Sequence, residues 1–261
     1  MSRSPIIAAA AAVTLLAFGP ARAETIGRTI DGKSLSVEVS CVDKVEIQPQ
    51  ADLTGKVAVE ATSTDASLLK DFAFTGGETA SVTRDRRVCT MNDRPKVFVS
   101  IKVPAGMAID IRNGGSTDYT IGAVGGSLHA RLAGSGNVTA ETVTDLALNI
   151  AGSSDARIGQ VSGPTDIRIA GSGDVKIAGA TIPSLKIDVR GSGDVSVDQG
   201  QIGTLSAAVA GSGDLRIKAD VQDATLSTVG SGIIEAAKVS GTLSSSKAGS
   251  GSIRIGRAGP G

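Results

Sequence analysis

Apolar and polar residues alternate in short runs along most of this chain, and from about residue 112 onwards the runs recur with one period. A Gly-Ser-Gly-Asp phrase, or a close variant of it, separates the runs and returns about every nineteen residues. A period of this size indicates one supersecondary unit that is repeated by stacking. The first glycines of the eight copies are Gly115, Gly134, Gly152, Gly171, Gly191, Gly211, Gly230 and Gly249.

The alternation around each of these glycines predicts two short strands per repeat. Apolar residues lie two, four and six positions before the glycine and again four and six positions after it. Around Gly171, for example, Ile167 and Ile169 precede the glycine, and Val175 and Ile177 follow it. Such period-two alternation buries one face of a strand. A third apolar position follows nine to eleven residues after most of the glycines.

Three apolar sides per repeat predict an all-β fold, a parallel β-helix (β-solenoid) of about eight 19-residue coils. One coil cannot bury its own apolar face, whereas its neighbours above and below can. The strands between residues 24 and 111 lack the nineteen-residue period, and we interpret them as a strand-rich N-terminal cap over the first coil. The expected organisation is therefore a signal peptide (1–23), a cap (24–111) and solenoid repeats (112–261).

The first residues have the pattern of a secretory signal. Arg3 precedes an apolar run from Ile6 to Phe18, and Ala21-Arg22-Ala23 fits a small-x-small cleavage site. We expect export through a cleaved signal peptide to the periplasm or the cell surface. No later apolar run approaches the roughly 20 residues of a membrane-spanning helix, so no transmembrane segment is expected after cleavage.

Cys41 and Cys89 are the only cysteines, and both follow the expected signal. An even pair in an oxidising compartment favours one disulfide over two free thiols. Basic and acidic residues are equal in number, 26 of each, so we expect no nucleic-acid partner. Aromatic residues make up 2% of the chain, which weakens any function that depends on aromatic platforms.

The most conspicuous candidate site is a column of acidic side chains at matching places in the repeats. Stacked carboxylates about 5 Å apart repel by roughly 1 kcal/mol per neighbour in water, so something must offset the repulsion. Calcium is one candidate, because Gly-x-Gly-x-Asp occurs in calcium-binding β-rolls, but those rolls repeat every nine residues. The column, with Asn137 in register, consists of Asp118, Asp155, Asp174, Asp194 and Asp214.

Basic residues two positions further on offer a second explanation. Arg157, Lys176 and Arg216 follow three of the aspartates on the same outward face. Rows of opposite charge, together with Asx-type bonds to the corner backbone, offset the repulsion without a metal or a cofactor. We therefore favour a structural surface ladder over a calcium site.

A serine also recurs directly after each corner glycine, which raises the question of nucleophilic catalysis. A catalytic serine requires a neighbouring base, and His129 is the only histidine in the chain. Parallel β-helices include polysaccharide lyases, but acids and bases recur here at similar spacing in every coil. No single cluster stands out, and we predict that the chain is not an enzyme.

A signal peptide, a strand-rich opening segment, Val103-Pro104 and repeated Gly-Ser-Gly-Asp coils together resemble the bacterial putative auto-transporter adhesin head GIN domain family. The resemblance covers roughly residues 30–255, and the repeats at 133–138, 170–175, 190–195 and 210–215 carry it. It implies a right-handed β-helix in exported bacterial proteins and an adhesive role. It supplies no catalytic residues.

These observations predict an exported, non-enzymatic β-helical interaction module that is adhesin-like or associated with the envelope. Its expected partner is a glycan or another envelope surface component. A structural envelope scaffold, in which rods stack end to end or side by side, is the alternative. An enzyme that acts on polysaccharides is less favoured.

Overall fold

A computed structural model describes residues 23–85 and 96–256 of the chain. The described residues form β-strands joined by tight corners, with one turn of 3-10 helix at Ala66–Leu69. The strands are β1 (Glu24–Asp31), β2 (Ser34–Val39), β3 (Lys44–Pro49), β4 (Lys56–Ser63), β5 (Phe72–Thr75), β6 (Thr79–Arg84), β7 (Val97–Val103), β8 (Ala108–Asn113), β9 (Asp118–Ile121), β10 (Leu128–Leu132), β11 (Val138–Val143), β12 (Leu146–Ile150), β13 (Ala156–Val161), β14 (Thr165–Gly171), β15 (Val175–Gly191), β16 (Val195–Val197), β17 (Gly200–Gly211), β18 (Leu215–Gly230), β19 (Ile233–Val239), β20 (Leu243–Gly249) and β21 (Ser252–Ile255).

Successive repeats stack as parallel strands, which confirms the predicted β-solenoid of about eight turns with coils of about 19 residues. We call the strands before the glycine corner side A and those after it side B. On side A, β10, β12, β14 and the later part of β15 pair in order, and Leu146, Thr165 and Leu185 lie in line. On side B, β9, β11, β13 and the first part of β15 pair in the same way. The period of the sequence therefore equals the period of the stack.

The core runs along the inside of the coils from one end to the other. The inward residues of both sides form one continuous cluster of buried side chains. Ile150, Ile169, Val189 and Val209, which are in line on side A, are each at most 1% exposed. Each of these side chains is covered by the equivalent residue of the next coil, as the alternation predicts.

The corner requires glycine because two coils approach each other closely there. Gly211 has a φ of 140°, a value that side chains rarely allow. A Cβ at this position would also collide with the carbonyl oxygen of Gly191 in the preceding coil. Larger residues are therefore excluded from position 211 by both the backbone angle and the available space.

The third side is less regular than sides A and B. Val143 pairs with Val161, but Val161 then pairs with Ala180, two residues before the expected Ile182. Ile182 pairs instead with Ile202 in the following coil. The additional residue of a twenty-residue coil is accommodated here, away from the glycine corner.

The parallel stack continues into the segment that we interpret as the N-terminal cap. Strands β6 and β2 extend side A, and β7 and β3 extend side B. Strand β8 pairs with β2 on one edge and with β10 on the other, although β3 to β7 intervene in the sequence. The expected division at 111/112 lies inside β8, so both parts share one sheet.

Three further strands cover the N-terminal end in antiparallel orientation. Strand β4 pairs with β7, β1 pairs with β4, and β5 pairs with β6. A parallel coil that ended at β6 and β7 would expose a row of unpaired backbone groups. The antiparallel strands satisfy those groups and end the solenoid.

Candidate functional site

The predicted acidic column forms a hydrogen-bonded ladder along the glycine corner. In each coil, one carboxylate or amide oxygen accepts a hydrogen bond from a backbone N–H of the next coil. The donor-to-acceptor pairs are Asn137 N to Asp118 Oδ1 (2.8 Å), Asp155 N to Asn137 Oδ1 (3.0 Å), Asp174 N to Asp155 Oδ1 (3.0 Å), Asp194 N to Asp174 Oδ1 (2.9 Å), Asp214 N to Asp194 Oδ1 (2.7 Å) and Ile233 N to Asp214 Oδ1 (3.1 Å).

This geometry explains how like charges can be stacked. From Asn137 to Asp214, the strand that follows the corner begins directly after the ladder residue, so the N–H of that residue needs an acceptor outside the strand pairing. The ladder oxygen of the previous coil supplies it, and a hydrogen bond to a charged acceptor is stronger than a neutral one. Asn137 makes the same contact without a charge. The bond therefore depends on the shape of the side chain, and the charge adds to its strength.

The basic row compensates the ladder at only some of its positions. Arg157 Nη2 lies 3.4 Å from Asp155 Oδ2, and Arg216 Nη2 lies 2.8 Å from Asp214 Oδ2. Lys176, by contrast, contacts Asp198 rather than Asp174, with an Nζ to Oδ2 distance of 3.1 Å. Which ion pairs form on this face therefore depends on how far each basic side chain can reach, and not on the repeat alone.

Asp198 is the centre of a small charged cluster that the sequence did not indicate. Lys218 Nζ donates to Asp198 Oδ1 at 3.1 Å, and Lys176 approaches the other oxygen. The hydrogen bonds from Lys218 and Lys176 lower the pKa of the Asp198 carboxyl. The three residues come from three successive coils, which is why their contact depends on the stacking.

The serine column lies exposed on the corner. From Ser135 to Ser231, its backbone N–H groups donate to the corner glycine of the preceding coil, for example Ser172 to Gly152 O at 3.0 Å and Ser212 to Gly191 O at 2.9 Å. His129 is exposed on β10, on side A. Within the described ranges, no hydrogen bond joins His129 to a serine. The complete column is Ser116, Ser135, Ser153, Ser172, Ser192, Ser212, Ser231 and Ser250.

The cysteines and the expected signal peptide are described only in part. Cys41 is 9% exposed and occupies the turn between β2 and β3 with a φ of 56°. Cys89 lies outside the described residues, so the Cys41–Cys89 disulfide stays a prediction. The signal peptide, apart from Ala23, also lies outside them.

The described residues contain no group of three or more His, Cys, Asp or Glu side chains placed to hold a metal ion. None of the helical structure in these same ranges is long and apolar enough to cross a membrane.

Sequence reasoning missed one buried charge, Arg84 at the end of β6. It is 2% exposed, and its guanidinium donates to the carbonyl oxygens of Ser40, Cys41 and Leu68. The guanidinium carbon also lies 5.2 Å from the centre of the Phe72 ring. The alternation in β6 indicates that Arg84 points inward, because Arg84 lies at the same parity as the buried residues Ala80 and Val82.

Comparison with known proteins gives a family and a fold. The model of the Toastrack DUF4097 family matches residues 33–256. No curated protein matches the chain.

Several solved structures share the fold. A Bacteroides fragilis NCTC 9343 protein described as a putative adhesin is 18% identical with a TM-score of 0.60, and the match covers 89% of this chain and 97% of that chain. A Parabacteroides distasonis ATCC 8503 putative adhesin is 14% identical with a TM-score of 0.56, covering 90% and 97%. A putative lipid binding protein from the same strain is 17% identical with a TM-score of 0.52, covering 89% and 96%. At these identities the likeness shows the fold alone.

Proposed function

This chain belongs to the Toastrack DUF4097 family, and we propose that it is an exported, non-enzymatic binding module of the adhesin type. The proposal includes cleavage of residues 1–23 as a signal peptide and the adhesive role that the resemblance to the GIN domain family implies. The descriptions of the similar Bacteroides fragilis and Parabacteroides distasonis structures as putative adhesins support it.

The observation that carries the proposal is the outward row of polar side chains on side B. Its members pair strand to strand in strict register, so they recur at the roughly 4.8 Å spacing of neighbouring strands. A row with fixed spacing suits a partner that itself repeats, and the envelope polymer of that kind is a glycan. The row consists of Thr139, Arg157, Lys176, Ser196 and Arg216.

The chemistry of this row also suits sugar hydroxyl groups. Arg157, Lys176 and Arg216 provide donors, while the neighbouring Asp174 and Asp194 provide acceptors. They line a shallow depression of about 260 Å³ on the surface. Because donors and acceptors alternate and neither sign of charge dominates, the surface favours a polar, largely uncharged ligand over a polyanion.

The arrangement of the serines supports a non-enzymatic role. Eight equivalent serines lie along the corner, and the one histidine of the chain lies on side A. A nucleophilic serine needs a base within hydrogen-bonding reach. The serine amides are used for pairing between coils, which is a structural task.

Binding to a glycan array and to purified peptidoglycan tests the proposal. The variant Arg157→Gln/Lys176→Gln/Arg216→Gln removes the cations of side B. The matched control Arg168→Gln/Lys186→Gln/Arg190→Gln makes the same chemical changes on side A. We expect the wild type and the control to bind, and the side B variant to lose at least tenfold in affinity, about 1.4 kcal/mol.

Two results would contradict the proposal. One is a wild-type protein that binds nothing on the array and no peptidoglycan. The other is equal binding by the two triple variants, which would mean that side B does not contact the ligand. Circular dichroism of each variant establishes that a loss of binding is not a loss of fold.

A further inference from the structure

On side A, the inward residue two positions before the corner glycine is no longer apolar in the last described coil. Through the middle of the stack this column is aliphatic and buried. Thr228 is next, and Lys247 of β20 lies in line with it. In the neighbouring inward column, Ser245 lies in line with Leu226. The last coil therefore places a hydroxyl and an ammonium group where the coils beneath it have mostly apolar side chains.

The same coil has open edges. Strand β20 pairs with β18 and β21 pairs with β19, and neither has a second partner strand within residues 23–85 and 96–256. All seven residues of β20 are exposed. An exposed parallel edge is a template on which another chain can add a strand.

Side B of this coil offers no obstacle to such addition. Ile253 and Ile255 of β21 continue the apolar column of β19 and are only partly buried. On side A of the same coil, Leu243 at the start of β20 is 44% exposed. These apolar side chains would gain from being covered, so any obstacle to stacking must come from the polar inward residues of β20.

We propose that Ser245 and Lys247 prevent a second copy of this chain from stacking end to end on β20 and β21. A coil placed over β20 would bury the Lys247 ammonium, which has no ion-pair partner among the described residues. A buried charge without a partner is strongly disfavoured. Inward-pointing charges are one of the means by which natural proteins protect sheet edges.

The proposal concerns self-association and not the ligand of side B. It bears on the alternative function, an envelope scaffold of rods stacked end to end, because a blocked end disfavours that assembly. The N-terminal end is covered in a different way, by the antiparallel strands β1 and β5. The N-terminal end of the described stack is thus covered by strands, and its last described coil is protected by two side chains.

The test restores the apolar columns. In the full exported chain, Ser245→Leu/Lys247→Val gives β20 inward residues like those of the coils beneath. The matched control Ser244→Leu/Ser246→Val adds similar apolar groups to the same strand, but on the outward positions. Light scattering after size-exclusion chromatography measures the mass over a range of concentrations, and negative-stain electron microscopy measures particle length.

We expect the wild type and the outward variant to stay monomeric, while the mass of the inward variant at least doubles and its particles lengthen along the rod axis. Lys247→Val alone, which perturbs folding least, should associate more weakly than the double variant. An inward variant that stays monomeric would overturn the proposal. A wild type that already stacks through this end, an outward variant that associates as strongly, or amorphous clumps instead of longer rods would do the same.

Discussion

The two ends of side A carry a cation in the same inward column, with opposite outcomes. Arg84 pairs in line with Val39 at the N-terminal end and is 2% exposed. Its guanidinium reaches three backbone carbonyl oxygens and the Phe72 ring. Lys247 at the other end is exposed. The difference shows that a charge in this column is buried only where neighbouring backbone carbonyl groups accept its hydrogen bonds.

The largest expected effect follows from removing the buried cation. Arg84→Met leaves the carbonyl oxygens of Ser40, Cys41 and Leu68 without their donor, and we expect the free energy of unfolding to fall by about 3 kcal/mol. Lys247→Met should change it by less than about 0.5 kcal/mol, as exposed substitutions usually do. Urea unfolding followed by circular dichroism measures both.

Arg84→Lys is the control for charge alone. Lysine keeps the cation but lacks the planar fork that reaches several acceptors at once, so an intermediate loss is expected. Equal losses in the free energy of unfolding for Arg84→Met and Lys247→Met would contradict the difference between a hydrogen-bonded buried cation and an exposed one.

The glycine corner permits a second comparison between the interior of the stack and its end. Gly211→Ala combines an unfavourable φ with a collision against Gly191 O, and we expect a loss of about 3 kcal/mol. Gly249 has a φ of 102° in the last described coil. Because that coil can open locally, Gly249→Ala should cost only about 1 kcal/mol. Thermal unfolding of both variants checks the order, and a larger loss at Gly249 would contradict it.

The ladder gives a smaller effect that separates shape from charge. Asp174→Ala leaves the N–H of Asp194 without its acceptor, and we expect a loss of about 1 kcal/mol because the bond is exposed to water. Asp174→Asn keeps an acceptor oxygen, as Asn137 does naturally, and should lose less than half as much. Chemical denaturation measures the pair. A calcium-dependent rise in melting temperature for the wild type, absent in Asp174→Asn, would instead favour the metal interpretation.

The smallest effect concerns pH. Because the pKa of Asp198 is lowered in the folded state, its ion pairs stabilise the fold above the ordinary pKa of the carboxyl, and this contribution is lost as the pH falls through the lowered value. We expect Lys176→Met/Lys218→Met to be less stable than the wild type by about 0.5 kcal/mol at neutral pH, since exposed pairs contribute little. The difference should disappear in acid. A difference that persists at low pH would exclude this origin.

The sequence predicts the repeated part of the molecule well, because glycine spacing and apolar parity are local signals. Gly171 and its neighbouring Ile169 and Val175 were sufficient to place a corner and two strands. The same parity, applied to Ala80 and Val82, would have identified Arg84 as an inward charge.

Other features depend on contacts that no local pattern encodes. Strand β2 lies between β6 and β8, and strand β3 lies between β7 and β9, although the order of these strands along the chain is different. Lys176 contacts Asp198 because stacking places that carboxylate of the next coil within reach of the ammonium group. The ladder oxygens accept from a backbone N–H of the next coil and not of their own turn, and this donor is present only once the coils have stacked.

The central claim is that equivalent residues of successive coils lie directly above one another. Ser206 and Thr225 are register partners on β17 and β18, and Ser244 is the partner of Thr225 on β20. In Ser206→Cys/Thr225→Cys the two Cα atoms lie at the spacing of neighbouring strands, about 4.8 Å, which a disulfide can bridge. Under mild oxidation, peptide mapping by mass spectrometry should find this bridge and none in Ser206→Cys/Ser244→Cys, where the residues are two coils apart. A bridge in the second variant, or its absence in the first, would contradict the stack.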